Sequence, residues 1–286
     1  MILKQFRTHF KNELSEIYPT TEIDSFFFLL IDEYLGLQRI DTVLKPDFKI
    51  DEVKLSTLNK VLKRLKKQEP LQYIIGKTEF YGYPFLVDEN TLIPRPETEE
   101  LVEWILNEVD NLDLAKNKKL NILDIGTGSG CIPIALAKNL KNATISAIDV
   151  SSKALKMAKK NAELNKVNIN FIEKDILTAD NLSESYDIIV SNPPYVRELE
   201  KAEILNNVLE NEPHLALFVS DDDPLVFYNK IAQLAKTHLT KNGILFFEIN
   251  QYLGLETVSI LKEKTFKNIV LKKDLFKNDR MIKASN

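Results

Sequence analysis

The sequence predicts a small all-helical domain followed by an α/β domain built on a mostly parallel sheet. Three observations lead there. The first 70 residues carry apolar side chains at helical spacing and no strand-like run. From Leu120 onward, short β-rich runs alternate with helical stretches, which implies a parallel sheet covered by helices on both faces. Between these regions the period changes around Tyr81-Gly82-Tyr83, where a glycine turn flanked by Phe80, Phe85 and Val87 predicts a hairpin. With 286 residues the chain is long enough for two domains, expected at 1–85 and 86–286.

The elements follow in order. Leu3, Phe6, Phe10, Leu14 and Ile17 form one helical stripe, stopped before Pro19. A second helix is expected from Ile23 to Leu35, closed by Gly36. A third places Leu55, Leu58, Leu62 and Leu65 on one face, with Pro70 expected as its end. The cluster Lys60 to Lys67 lies mostly off that face and reads as a solvated surface, with an acidic or RNA partner as the weaker reading. Ile93 to Glu99 is expected as a stiff connector, since Pro94 and Pro96 fix φ and disfavour helix before them. A helix striped by Leu101, Val102, Ile105 and Leu106 follows, with Trp104 as a packing residue. Strands are expected at 120–125, 144–149, 170–173, 186–191 and 243–249, with helices at 152–164 and 224–239. The tail, 266–271 and 279–283, reads as an antiparallel hairpin at the sheet edge.

Composition narrows the function. Hydrophobic residues at 44% and charged residues at 28% describe a soluble globular chain. A net charge of −4 argues against holding nucleic acid by bulk positive charge, although a local basic face is not excluded. One cysteine, Cys131, permits no intrachain disulfide and no multi-cysteine zinc site, and three scattered histidines suggest no metal centre. The longest apolar run, Phe26 to Ile31, is far short of the roughly 20 residues that cross a bilayer. The first residues lack the apolar stretch of a signal peptide, so a cytoplasmic protein without membrane or stable nucleic-acid partner is expected.

Leu120 to Ile125 runs directly into Gly126-Thr127-Gly128-Ser129-Gly130, and a helix is expected from about Cys131. A glycine turn between strand and helix brings a ligand close to bare backbone at the positive end of a helix. The third glycine falls one position earlier than in the dinucleotide fingerprint. With Asp124 two residues before it, this G-x-G-x-G form resembles the cofactor loop of S-adenosylmethionine-dependent methyltransferases. Asp149, ending the second strand, suits the two hydroxyls of a ribose; its alternative is to cap the helix that starts near Ser151. Asp175 ends the third strand, where it can accept from an adenine amino group, and Ile176 can pack on the ring; a plain loop aspartate is the alternative.

The fourth strand ends in Ser191-Asn192-Pro193-Pro194-Tyr195, beside the glycine loop if the sheet is doubly wound. Asn192 Oδ1 and the Pro193 carbonyl can each accept one N–H of a planar NH₂ group. That grip leaves the nitrogen lone pair facing an electrophilic methyl and favours a pyramidal transition state. Tyr195 can stack on a flat amide or base. No strong base is needed, because the proton can leave after transfer, and positioning does most of the work. The alternative is a proline-rich turn that merely ends a strand.

Taken together, the chain resembles the release-factor glutamine methyltransferases, the HemK/PrmC type, over nearly its whole length. The resemblance rests on Glu69-Pro70-Leu71-Gln72-Tyr73-Ile74, Glu79-Phe80-Tyr81-Gly82, Leu92 to Glu99, Asp124 to Gly130, Asn192 to Tyr195, and Glu212-Pro213 followed by Ala216-Leu217. It implies a five-helix N-terminal domain, a linking hairpin, and a Rossmann-like seven-stranded class I methyltransferase domain with its last strand antiparallel. It implies methylation of the glutamine side-chain amide in the Gly-Gly-Gln motif of bacterial peptide release factors. Carried over by position, Gly126 to Gly130, Asp149, Asp175, Ile176 and Asn192 contact S-adenosylmethionine, while Asn192, Pro193, Pro194 and Tyr195 hold the glutamine. Cys131 is expected as a packed thiol. Arg95 and Glu97 either cover the cofactor, neutralise a substrate carboxylate, or form a structural salt bridge. A monomer is expected. Asn-Pro-Pro-Tyr alone also suits enzymes acting on exocyclic amines of RNA or DNA, and a non-catalytic module docking on a release factor is a further alternative.

Overall fold

A computed structural model describes residues 1–111 and 119–286. The chain divides into two compact units, 1–76 with 205–211, and 77–204 with 212–286.

In the first unit the apolar stripes become α1 (Leu3–Leu14), α2 (Thr20–Leu35), α3 (Asp41–Leu44), α4 (Glu52–Leu65) and α5 (Leu71–Ile75). Phe6, Phe10 and Phe27 meet at its centre, with Phe10 and Phe27 centroids 5.8 Å apart, and all three are fully buried. Gly36 closes α2 in the left-handed region at φ +67°, donating its N–H to the Asp32 carbonyl. Pro70 does not end the third long helix. That helix stops at Leu65, and Pro70 instead opens α5, where its missing N–H costs nothing. At the end of α4, Arg64 pairs with Glu69 and the following Lys66 with Glu13, so part of the basic cluster is neutralised locally.

The second unit opens with the hairpin β1 (Lys77–Phe80) and β2 (Tyr83–Leu86). The sequence reading grouped this hairpin with residues 1–85; in the structure it belongs to the second unit. The reason is Asn161, whose side chain accepts from the Leu86 N–H at 2.7 Å and donates to its carbonyl at 2.9 Å. Then come α6 (Pro96–Asn111), β3 (Leu120–Ile125), α7 (Cys131–Asn139), β4 (Ala143–Asp149), α8 (Ser152–Asn165), β5 (Asn170–Glu173) and β6 (Tyr186–Ser191). Short pieces follow: β7 (Val196–Arg197), a 3₁₀ turn at Glu198–Glu203, α9 (Asn206–Asn211, part of the first unit), α10 (His214–Leu217) and β8 (Phe218–Val219). The chain finishes with α11 (Val226–His238), β9 (Leu239–Glu248), α12 (Gly254–Glu263), β10 (Lys267–Lys273) and β11 (Asp279–Ser285).

The seven-stranded sheet has the order β10-β11-β9-β6-β3-β4-β5. β11 pairs antiparallel with both neighbours, and the remaining ladders are parallel. Alternate strand residues feed two cores: Ile122, Ile188, Val190 and Phe246 on one face, Leu123, Ile125, Ile189 and Phe247 on the other. Trp104 packs edge-on to Phe246 at 5.6 Å, as a core residue should. α6 begins at Pro96, so Glu97, Thr98 and Glu99 are helical and not part of an extended connector. The second proline sits where a helix tolerates it, in the first turn, so its fixed φ starts the helix.

Strand order reverses between β3 and β6. In open α/β sheets that switch point opens a crevice at the carboxyl ends of the strands.

Candidate active site

Register alone brings the predicted residues together. Ile125 pairs with Ser191 and Phe247 with Ser191, so Gly126 and Asn192 emerge side by side, with Glu248 on the other flank of Asn192. Asp149 ends β4 paired with Glu173, two positions before Asp175. A cavity of about 250 Å³ opens there, lined by Gly126, Gly128, Asp149, Asp175, Ile176, Asn192, Pro193 and Pro194. Thr127, Ser129, Gly130 and Tyr195 do not line it.

The glycine loop is held from several sides. The N–H groups of Gly126 and Thr127 both donate to the Ile148 carbonyl, at 2.9 and 3.0 Å. The Ser129 carbonyl accepts from Asn161 Nδ2 at 2.9 Å. A Cβ on Gly126 would fall 3.8 Å from the Asn192 carbonyl oxygen, in the opening between the two loops. One on Gly130 would meet Ala158 Cβ and Ile134 Cδ1 at 3.1 Å, where φ is already +83°. Gly126 is required by its φ of +78°, whereas Gly130 also lets α7 and α8 close behind the loop.

Asp149 accepts from the Gly128 N–H through Oδ2 and from the Ser151 N–H through Oδ1, both at 2.8 Å. It does not cap α8; Ser151 does, accepting from the Ala154 N–H at 3.2 Å. Burial raises the Asp149 carboxyl, opposed by the surrounding backbone N–H groups. A carboxylate offers about four acceptor sites, so capacity remains for hydroxyl donors. Asp175 Oδ1 accepts from the Leu177 N–H at 2.9 Å, and buried Ile176 forms an apolar wall. Exposed backbone at Gly126 and Gly128, two carboxylates and an apolar wall suit a ribose-bearing cofactor with a flat base.

Asp124 is fully buried beneath the loop, and burial pushes its carboxyl up to about 7. The Thr127 hydroxyl beside it opposes that rise, and the Asp149 charge adds to it. Cys131, raised to about 12 by burial first and the Asp124 charge second, is a protonated thiol and no nucleophile.

Behind the Asn-Pro-Pro-Tyr segment lies a polar network that the sequence analysis does not anticipate. Asn192 Nδ2 donates to Thr98 Oγ1 at 3.3 Å, and Thr98 Oγ1 donates to Glu248 Oε2 at 2.7 Å. Tyr195, expected as a stacking platform, turns its hydroxyl to Glu248 Oε1 at 3.2 Å, and its carbonyl accepts from Asn250 Nδ2 at 2.9 Å. Sequence reasoning missed Glu248; the available signal was an acidic residue closing the apolar strand Ile244 to Phe247. Arg95 ion-pairs with buried Glu212 at 2.5 Å, and Glu212 also accepts from the Ile93 N–H at 3.2 Å. Of the three readings of Arg95, the structure displays the salt bridge. It ties the 90–92 segment to the 213–216 segment, both of which line the cavity.

Comparison with known proteins adds lineage to this geometry. Residues 5–76 match the family model described as the PrmC N-terminal domain, and residues 109–217 match the methyltransferase small domain. A release factor glutamine methyltransferase of Flavobacterium psychrophilum is 59% identical over 285 residues, covering 100% of this chain and 99% of that one. The chain belongs to the release factor glutamine methyltransferases. Another member of the family, from Bacteroides thetaiotaomicron, is 42% identical over 284 residues, covering 99% of this chain and 100% of its own. Among solved structures, the Thermus thermophilus 16S rRNA N2 G1207 methyltransferase in complex with AdoMet and guanosine aligns with a TM-score of 0.51. At 20% identity, covering 73% of this chain and 49% of that one, it shares the fold. A methyltransferase from Pyrococcus furiosus also has a TM-score of 0.51, at 15% identity over 82% of this chain and 98% of its own. The family's fold is thus the seven-stranded one described above, with a helical N-terminal region.

Proposed function

We propose that this protein methylates the side-chain amide nitrogen of the glutamine in the Gly-Gly-Gln motif of peptide chain release factors, using S-adenosylmethionine. The observation that carries the reading is the juxtaposition of Gly126 and Asn192 at the switch point, in a chain 59% identical end to end to a release factor glutamine methyltransferase. When bound, the cofactor supplies an electrophilic methyl group on a sulfonium centre. Gly126 to Gly130 would pass along it, Asp149 would take the ribose hydroxyls, and Asp175 and Ile176 would hold the adenine. Asn192 would touch both cofactor and substrate.

Asn192 Oδ1 and the Pro193 carbonyl accept the two N–H bonds of the glutamine amide. Proline cannot compete with its own N–H, so the Pro193 and Pro194 backbone offers only acceptors there. Two acceptors fixed by folding stabilise the amide as it becomes pyramidal and positively charged. Pro194 lines the pocket beside them, and Tyr195, its hydroxyl held against Glu248, supports the segment from behind the cavity wall.

No helix among the described residues is long and apolar enough to cross a membrane. We read the enzyme as a cytoplasmic monomer, with the unit of residues 1–76 as a partner-selecting region, the unit that begins at the 77–86 hairpin as the catalytic one, and release factors as its protein substrate.

The test is transfer of labelled methyl from S-adenosylmethionine to a purified release factor, with the modified residue located by mass spectrometry. Label on the motif glutamine is expected. Label on ribosomal RNA and none on protein would replace this reading with base methylation. Binding of the factor without any transfer would replace it with a docking module.

A further inference from the structure

An asparagine side chain can turn either end toward a ligand, and only one end grips an NH₂ group. Asn192 needs its oxygen there. The side chains behind it settle which end is available. Thr98 and Glu248 are 2% and 1% exposed, so water does not compete for their hydrogen bonds. A hydroxyl has one proton to donate, and an ionised carboxylate only accepts. With Glu248 ionised, the 2.7 Å bond to its Oε2 commits the Thr98 proton to the carboxylate. What remains on Thr98 Oγ1 is lone pairs. Asn192, 3.3 Å away, must answer with Nδ2, which leaves Oδ1 as the end available to a ligand in the cavity it lines.

We propose that Thr98 and Glu248 are positioning residues that set the amide orientation of Asn192 and so keep its oxygen toward the substrate NH₂. This deepens the function proposed above and rests on the role given there to Asn192. Tyr195 belongs to the same network: its hydroxyl occupies the second Glu248 oxygen and keeps the first aligned with Thr98.

The arrangement has a pH signature. Burial raises the Glu248 carboxyl, opposed by the Thr98 hydroxyl, the Arg280 cation and the Tyr195 hydroxyl, and reinforced by the Glu97 charge. Two further titratable groups feel its charge: Tyr228, which donates to the Glu248 backbone carbonyl at 3.3 Å, and the buried Cys131 thiol. A protonated Glu248 can itself donate to Thr98. The Thr98 proton is then free to face Asn192, and the amide is no longer held one way round.

The experiment compares the full-length protein with Thr98→Val, Thr98→Ser and Asn192→Ala, using a release factor as substrate. Calorimetric affinity for S-adenosylmethionine verifies that each variant is folded. The second readout needs no turnover: the Asn192 side-chain NH₂ resonance in ¹⁵N spectra, assigned by its absence in Asn192→Ala. For Thr98→Val we expect kcat to fall about tenfold to thirtyfold, with little change in KM or cofactor affinity. The Asn192 NH₂ protons should exchange faster with water, and Thr98→Ser should restore most of both properties. The acid limb of the wild-type kcat profile should flatten in Thr98→Val. Wild-type kcat in Thr98→Val beside a crippled Asn192→Ala would overturn the positioning role and leave the function standing. Wild-type kcat in Asn192→Ala would overturn the assigned role of Asn192, and an NH₂ resonance unmoved in Thr98→Val would overturn the positioning role whatever the activities.

Discussion

Asp149 and Gly128 are joined by a 2.8 Å hydrogen bond from the glycine N–H to Oδ2, so the end of the second parallel strand holds the middle of the glycine loop. A residue read as a ribose ligand thus also shapes the backbone on which the rest of the cofactor would lie.

Replacing Asp149 by alanine removes that bond together with the one from Ser151. Cofactor affinity should fall by about 2 kcal/mol, roughly thirtyfold in Kd, as measured by calorimetry. Unchanged affinity would show that the loop holds its shape without the carboxylate.

Asn192→Ala should behave differently. Losing an acceptor used chiefly in the transition state typically costs about 3 kcal/mol, roughly a hundredfold in kcat. Cofactor affinity should stay within a few-fold. Single-turnover methyl transfer, compared with calorimetry on the same sample, separates the two effects. Equal losses in both would contradict the division of labour between Asp149 and Asn192.

Gly130→Ala places a Cβ 3.1 Å from two side-chain carbons at a φ of +83°. Strain and crowding together should cost about 1–3 kcal/mol of stability. Thermal melting should show a drop of several degrees, while Gly82→Ala, whose added carbon meets nothing within 4 Å, bears the conformational strain alone.

Glu212→Ala leaves Arg95 without its partner and the Ile93 N–H without its acceptor. Arg95 is 32% exposed in its side chain and can recover water. The expected loss is therefore about 2 kcal/mol, below the roughly 3–5 typical when a fully buried pair is broken. Because the pair joins two segments of the cavity wall, cofactor Kd should rise as well. Denaturant titration and calorimetry check the two halves.

Asp124 supplies a pH test. Its carboxyl is raised from 3.8 to about 7 in the folded protein, so the folded state holds a proton that the unfolded state releases. Stability carried by that proton is complete below about pH 4 and is lost as pH rises through about 7. Asp124→Asn cannot ionise and escapes the loss. Its melting temperature relative to the parent should therefore increase from acid to mildly alkaline pH. A constant difference would mean that the carboxyl ionises at its ordinary value.

Local signals were legible where they depend on neighbouring residues. Strands 120–125 and 186–191 lie where the apolar runs place them, because central parallel strands are buried on both faces, and 170–173 is found as expected at the sheet edge. The helix at Pro96 and the one opened by Pro70 were misplaced for a common reason. A proline stops a helix when it lies inside one and starts a helix when it lies at the first turn, and the dipeptide pattern is the same.

The sequence by itself determined the two kinds of region, the glycine loop, the Asn-Pro-Pro-Tyr segment that closes the fourth parallel strand and the family, since each is marked by continuous patterns with a local physical meaning. The partners of those residues belong to the tertiary structure. Thr98 and Glu248 stand 150 positions apart in the chain, and Arg95 and Glu212 117 apart. Only strand order and register place them within hydrogen-bonding reach, because a buried polar group takes whatever partner folding delivers to it, and no local rule names that partner in advance.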